Sequence, residues 1–467
     1  MYEGRSVLVA GARVAGAACA TALAGLGAKV TVVDRAASAE TERLAGQGIA
    51  VVIGEPDPGQ LLAGVDDLVV SPGFPPHHPL ALAAAASGIE VYSEPELAWR
   101  LRKPDGPRWL AVTGTNGKTT TVTMLAAILG AAGLRTAALG NIGTPLVDAQ
   151  SGGPAGYEVL AVELSSFQLH WSSTMAPHGG ALLNLADDHL DWHGGFDHYA
   201  GAKTAVWRSV RTGGTAVGNL DDPRVRALLE GLHAARVPGP LVGFTLDVPP
   251  PGCVGVVEDV LVDRTGDGDA HELATLADIR PVGAHNVANA LAAAALALSV
   301  GVSHEAIRRG LAGYVPEPHR NARVAEVGGV TWVDDSKATN PHAAQASLTS
   351  YERIVWVAGG QLKGVDIDEL TARVAPRLAG AVLLGVDRAE IAAALARHAP
   401  HLPVVDVART DDGAMAEVVQ AAARLAEPGD TVLLAPAAAS LDMFPSYARR
   451  GDAFAEAVRA LPATTAG

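Results

Sequence analysis

The chain has 467 residues, enough for two to four domains with several hydrophobic cores. A formal net charge of −15 with no basic face excludes broad nucleic-acid binding. Two cysteines, Cys19 and Cys253, exclude a disulfide framework and a cysteine-based zinc site and fit a reducing cytoplasm.

No apolar run is long enough to span a bilayer, and no signal peptide is expected ahead of the first strand. Strand-like and helix-like runs alternate almost throughout, which predicts α/β architecture with parallel sheets. Two Pro- and Gly-rich connections, Lys103-Pro104-Asp105-Gly106-Pro107 and Val315-Pro316-Glu317-Pro318, predict three domains: 1–105, 106–317 and 318–467.

The first domain opens on a strand at Ser6-Val7-Leu8-Val9-Ala10, followed by Gly11-Ala12-Arg13-Val14-Ala15-Gly16 and an Ala-rich helix. A second strand, Val30 to Val33, ends at Asp34. The pattern is Rossmann-like, but Arg13 stands where a dinucleotide fingerprint needs glycine for close approach of a pyrophosphate. NAD binding and a plain doubly wound domain both remain readings of this stretch. A strand at Val69-Val70 leads into Ser71-Pro72-Gly73, a strand end where a ligand of an open α/β sheet would sit.

The middle domain begins with the apolar run Trp109-Leu110-Ala111-Val112, then Gly114-Thr115-Asn116-Gly117-Lys118-Thr119-Thr120, then a helix-like run through Leu129. Strand, glycine loop, Lys-Thr and helix are the parts that hold nucleotide phosphates. Glycines let backbone N–H groups close on the anion, and the helix N-terminus adds positive potential. Lys118 would neutralise outer phosphates, and Thr119 would offer its hydroxyl to Mg2+. The loop departs from the common phosphate-loop spacing, because Val112 occupies the position of the first glycine. Downstream come the turn-like Gly140-Asn141-Ile142-Gly143 and the strand Val159 to Glu163, whose terminal acid is placed to hold Mg2+. The run from Leu183 to Lys203 holds Asp187, Asp188, His189, Asp191, His193, Asp197 and His198 and reads at first sight as a metal-ligand cluster, even a binuclear hydrolase centre; most of its members read equally as solvated loop residues, with His189 the favoured functional one. Lys203, expected at the start of a helix, would ordinarily be surface charge.

The last domain carries strands around Val330–Val333, Ile354–Val357, Ala381–Leu384 and Thr431–Leu434. At its entry stands Pro318-His319-Arg320, and after its first strand Asp335-Ser336-Lys337-Ala338-Thr339-Asn340-Pro341. Arg320 and Lys337 could meet phosphate, and Asp335 a ribose or a cation. Pro436 to Phe454 offers Ser440 and N–H groups at an expected helix start, suited to a carboxylate.

The ordered set GTNGKTT, GNIG, ELSSFQL, DDHLDWH with a downstream lysine, GAHNVANALAA, PHR, DDSKATNP and PAAASLDMF resembles the Mur ligase family, from about Ser6 to about Phe454. The last two segments point to its D-glutamate-adding branch. The resemblance implies a Rossmann-like N-terminal domain, a central ATPase domain of phosphate-loop type and a Rossmann-like C-terminal domain. It implies a cytoplasmic, monomeric ATP-dependent ligase that joins D-glutamate to UDP-N-acetylmuramoyl-L-alanine through an acyl phosphate, without nucleic-acid or membrane partners. Val14, Ala15, Gly16, Arg35, Ser71, Gly73 and Asn141 would surround the UDP-substrate. Gly114 to Thr120, with Asn289, Arg320, Asp335 and Lys337, would hold ATP, Asn289 near the base. Thr119 and Glu163 would bind one Mg2+, and His189 and a carbamylated Lys203 a second. His319, Thr339, Lys363, Ser440 and Tyr447 would orient D-glutamate, with His319 a candidate to position or deprotonate the amine. Arg13 and Ala322 depart from the family pattern, the second where an acid usually follows His319-Arg320.

Overall fold

The computed structural model describes residues 2–150, 156–266, 269–411 and 413–462. The chain divides into two compact units, Met1–Asp278 with Ala288–Tyr314, and Ile279–Val287 with Val315–Gly467. The second unit thus takes in a segment that lies before the expected boundary at 317/318.

The first unit contains two sheets. One has five parallel strands, in the spatial order Ala50–Ile53, Lys29–Asp34, Ser6–Ala10, Asp67–Val70, Glu90–Ser93. Strand order reverses at Ser6–Ala10, so a crevice opens outside its carboxyl end, where Gly11 and Ser71 sit. The helix Val14–Gly25 starts there without a side-chain cap. Its first turn packs tightly: a Cβ on Gly16 would lie 1.9 Å from the Gly11 carbonyl oxygen.

Among the described residues the other sheet has nine strands. Its strand Arg108–Thr113 lies between Val159–Glu163 and Gly179–Leu182, all parallel. These strands are near-continuous apolar runs because helices cover both faces of a parallel sheet. The parallel expectation fails at one edge, where Cys253–Val257, Val260–Asp263 and His271–Thr275 form an antiparallel meander. Their connections are too short for the crossover a parallel pair requires. The helix Glu94–Leu101 joins the two sheets: Glu96 accepts hydrogen bonds from the N–H groups of Thr174 (3.1 Å) and Met175 (2.9 Å), while Trp99 meets Trp109 edge-on at 5.2 Å.

The second unit is built on six strands, with Val330–Asp334, Thr431–Leu434, Ile354–Gly359, Leu378–Leu384 and Val404–Asp406 parallel in that spatial order. Ala322–Val327 adds an antiparallel edge strand, a second departure from the all-parallel expectation. Helices on both faces bury the sheet, with Trp356 and Leu433 on one side and Trp332 and Phe454 on the other.

Candidate active site

In the first unit the loop after Arg108–Thr113 is shaped by Gly117, whose φ of +82 is left-handed and precedes the helix Lys118–Ala131. A Cβ there would lie 2.4 Å from Asn289 Oδ1, so glycine is required by conformation and by space. Asn289 therefore lies against the loop itself, and it also accepts from Thr121 Oγ1 at 3.2 Å. The loop is held from beneath: Asn184 Oδ1 accepts the Asn116 N–H at 2.8 Å, and Thr115 Oγ1 meets Tyr199 OH at 2.8 Å. Lys118 Nζ folds over the loop, donating to the carbonyls of Gly114 (3.0 Å) and Thr115 (2.8 Å).

Thr119 Oγ1 donates to Glu163 Oε2 at 2.6 Å, and Asn141 Nδ2 donates to the other carboxylate oxygen at 2.9 Å. Glu163 is buried at its strand end, so a hydroxyl and a carboxylate converge beside the loop. Hard oxygen donors of this kind suit Mg2+.

Lys203 is a correction. It stands in the last turn of the helix Phe196–Thr204, only 2 % exposed, and its Nζ donates to Gly114 O at 2.8 Å. Burial, then the neighbouring Lys118, push its pKa well below the usual lysine range. The helix wraps onto the loop and carries the lysine inward, which linear spacing did not reveal.

His189 has left-handed backbone (φ 51), is half-exposed, meets the Phe167 ring at a tilt with centroids 4.7 Å apart and pairs with Asp188 at 3.5 Å. Among the described residues no group of three or more His, Cys, Asp and Glu side chains could hold a metal ion, so the acidic and histidine-rich run is not a metal cluster by itself. Much of it is aromatic packing: Trp192 meets Phe167 at 4.4 Å, and buried His193 meets Ser166 Oγ at 3.0 Å through Nε2. Burial lowers the His193 pKa to about 4, so its ring is neutral.

At the first sheet's crevice, Ser71 Oγ is buried without a hydrogen-bond partner, and a Cβ on Gly11 would come within 2.3 Å of it. An orphaned hydroxyl beside a helix start fits an anionic ligand group. Asp34, the acid that would take a ribose in a dinucleotide domain, accepts the Ala12 N–H at 2.7 Å instead. Val14 and Gly73 are exposed, Ala15 is half-buried, and Arg35 pairs with Glu55 at 2.8 Å on the surface.

In the second unit, His319 Nδ1 lies 2.6 Å from Asp334 Oδ2. Asp335 is buried, accepts the Asn321 N–H at 3.1 Å and pairs with Ser347; burial raises its pKa to about 7. Arg320 Nε donates to Glu317 at 3.0 Å. Lys337 Nζ stands 3.9 Å above the Tyr447 ring. Thr339 precedes the helix Pro341–Leu348, and Lys363 lies exposed in a turn with φ 56. Ser440 is a second correction: it is buried before the helix, which begins at Tyr447 and is capped by Ser446. Ala322 opens the antiparallel edge strand opposite Asp334.

Three residues escaped the sequence reading. Arg450, 1 % exposed, donates to Ser336 Oγ and O (both 3.0 Å), Gly359 O (3.3 Å) and Ala438 O (3.1 Å), joining three loops at the strand ends. It lies four residues before Phe454 and eight before Val458, on the buried helix face, a spacing that could have exposed it. Asp334 and Tyr199 carried no separate signal in a single sequence.

Three profiles match successive parts of the chain: a MurD-like N-terminal domain over 5–93, the Mur ligase middle domain over 112–297, and the Mur ligase glutamate ligase domain over 319–438. A UDP-N-acetylmuramoylalanine–D-glutamate ligase of Thermobifida fusca is 58% identical, covering 98% of this chain and 99% of the relative. A ligase of the same description from Mycolicibacterium smegmatis is 49% identical over 98% of this chain and 97% of its own. The fold resembles the crystal structure of MurF from Acinetobacter baumannii at a TM-score of 0.59 and 19% identity, covering 98% of this chain and 91% of that one. With all three segments matched in order and more than half the residues shared with a full-length relative, the chain belongs to the Mur ligase family, in its MurD-like branch.

Proposed function

We propose that this protein joins D-glutamate to UDP-N-acetylmuramoyl-L-alanine at the expense of ATP, releasing ADP and phosphate, in peptidoglycan precursor synthesis. The observation that supports it most directly is the convergence of Lys118, Thr119 and Glu163 at the Gly114–Gly117 cradle, in a chain 58% identical to a ligase of that description.

A carboxylate resists attack because its charge repels nucleophiles and oxide is a poor leaving group. Transfer of the γ-phosphoryl of ATP to the substrate carboxylate gives an acyl phosphate with a good leaving group. Gly114 to Thr120 cradle the phosphates through N–H groups, and Lys118 leaves its loop carbonyls to offset charge on the transferring group. Asn289, Arg320, Asp335 and Lys337 contact the nucleotide. Val14, Ala15, Gly16, Arg35, Ser71, Gly73 and Asn141 hold the UDP-substrate. Thr339, Lys363, Ser440 and Tyr447 orient D-glutamate with His319.

Thr119 and Glu163 hold one Mg2+. As an ammonium ion Lys203 has no lone pair for a cation, but its neutral amine, favoured by burial, is the form that condenses with CO2, releasing one proton and leaving an anionic carbamate. The resulting carbamate and His189 hold a second Mg2+. When bound, the two ions supply positive charge that stabilises the transferring phosphoryl group. Division into functional domains at 105/106 and 317/318, a monomeric state and a cytoplasmic location complete the proposal. Among the described residues no helix is long and apolar enough to cross a membrane.

The test is isotopic. With 18O in the carboxyl of the sugar nucleotide, label should appear in liberated inorganic phosphate, and release should require both that substrate and D-glutamate. Unlabelled phosphate, or release without an amino acid, would overturn the ligase reading.

A further inference from the structure

His319 is held more tightly than a substrate-orienting residue needs to be. Its φ of +63 is left-handed, a conformation costly to a non-glycine residue and retained only where surroundings dictate it. Nδ1 lies 2.6 Å from Asp334 Oδ2, and the other Asp334 oxygen accepts the Ser336 N–H at 2.9 Å. Asp334 is therefore buried with both oxygens engaged and its rotamer fixed. Nε2 faces a second acid, Asp452, at 3.5 Å, itself paired with Arg449 at 3.3 Å. The helix Tyr447–Arg459 crosses this pair at Gly451, where a Cβ would lie 2.1 Å from His319 Nδ1 and 2.7 Å from Asp334 Oδ2. Only glycine allows the helix to close over the pair.

We propose that Asp334 is a positioning residue that fixes the tautomer of His319, and that His319 Nε2 accepts the proton of the incoming amine. The inference rests on the ligase reading above. An ionised carboxylate can only accept, so the bond to Asp334 places hydrogen on Nδ1, and in the neutral ring the lone pair then lies on Nε2. The amino acid arrives as an ammonium ion. One proton passes to Nε2, and the freed nitrogen lone pair forms the C–N bond to the acyl carbon. The C–O bond to phosphate breaks with its electrons going to the phosphate oxygen. The second nitrogen proton leaves on phosphate, and the third remains as the amide N–H. The imidazolium so formed stands between Asp334 and Asp452, and the partly exposed Asp452 offers its proton a way to solvent.

The test separates the two half-reactions. Hydroxylamine is neutral at neutral pH and needs no base, so it traps the acyl phosphate as a hydroxamate without His319. In Asp334→Asn, kcat for D-glutamate should fall about 100-fold, the usual scale of general-base loss. KM for D-glutamate should stay within about threefold, and hydroxamate formation from ATP and the UDP-substrate within about twofold, because proton acceptance rather than binding is impaired. His319→Gln, at a partly exposed position, should show the same loss of kcat with hydroxamate formation retained, while its KM for D-glutamate rises because His319 also orients the amino acid; it serves if Asp334→Asn does not fold. Near-normal kcat in both variants, or hydroxamate and amide formation falling together, overturns the inference. Absence of both products in the wild-type protein instead overturns the ligase reading, and the two failures are distinguishable.

Discussion

Lys118 and Lys203 both donate to the carbonyl oxygen of Gly114, at 3.0 and 2.8 Å. For Lys203 the burial cost comes first and the neighbouring Lys118 second in disfavouring its charge. Burial that shifts Lys203 toward its neutral form acts in the direction that carbamate formation needs. Lys203→Ala should be inactive, with partial activity restored by short carboxylic acids, as checked by phosphate release; an unmodified Lys203 in active enzyme, read by intact mass and diffraction, would refute the carbamate. Glu94 shows the opposite sign of burial. It is 2 % exposed, accepts the Val147 N–H at 2.6 Å, and burial raises its pKa from 4.5 to about 7. Below 4.5 the carboxyl is protonated folded or unfolded, and above about 7 the folded state carries a buried charge. Stability should therefore fall as pH rises from 4.5 to 7, by roughly 3 kcal/mol at most. Glu94→Gln keeps an acceptor for Val147 and should flatten that decline in denaturant titrations at pH 5 and pH 7.5.

At the scale of elements, the segment from Leu190 to Thr204 links two loops. Trp192 Nε1 donates to Gly73 O at 3.4 Å, while Tyr199, on the next helix, meets Thr115 of the phosphate loop at 2.8 Å. Between them Phe167, Trp192, His193 and Tyr199 pack ring on ring, with centroids 4.4 to 5.7 Å apart. Contacts of this geometry hold the two strand-end loops in register. Trp192→Phe keeps the packing and removes the N–H. It should raise KM for the UDP-substrate about two- to tenfold, the worth of one hydrogen bond, and leave KM for ATP unchanged in steady-state assays. Equal loss for both substrates would place Trp192 in general folding instead. In the sequence the same run reads as acids and histidines because linear order hides which rings meet. The strands that carry the phosphate loop and the last domain's parallel core were legible, since each is an apolar run ended by glycine or a polar turn; short or mixed strands such as Ala50–Ile53, His271–Thr275 and Val404–Asp406 were not. The two antiparallel edges were not, because a short strand gives the same signal whatever its direction.

For the whole molecule, the assembly of two compact units argues against a single unfolding event. The residues proposed for the UDP-substrate all lie in the unit that includes 1–278, so that substrate alone should stabilise one transition only. At a hundredfold excess over Kd the gain is about 2.7 kcal/mol. Scanning calorimetry should show one transition rising with UDP-N-acetylmuramoyl-L-alanine and the other unmoved. A single transition, or an equal rise in both, would overturn the assignment of that substrate to one unit. Arg35→Ala should weaken the same shift, since it removes a surface cation without touching a core.

Local grammar decided much of this protein in advance: the alternation of apolar runs and turns set three α/β sheets, and glycine, lysine and threonine in Gly114–Thr120 set an anion cradle, because both depend on neighbours in the chain. Folding decided the rest. Lys203 is buried against Gly114, 89 residues away, and Arg450 ties Ser336 to Ala438 and Gly359. Gly451 leaves room for the His319–Asp334 pair. Burial and close approach between distant segments set the charge and orientation of these groups, and neither is written in the order of the residues.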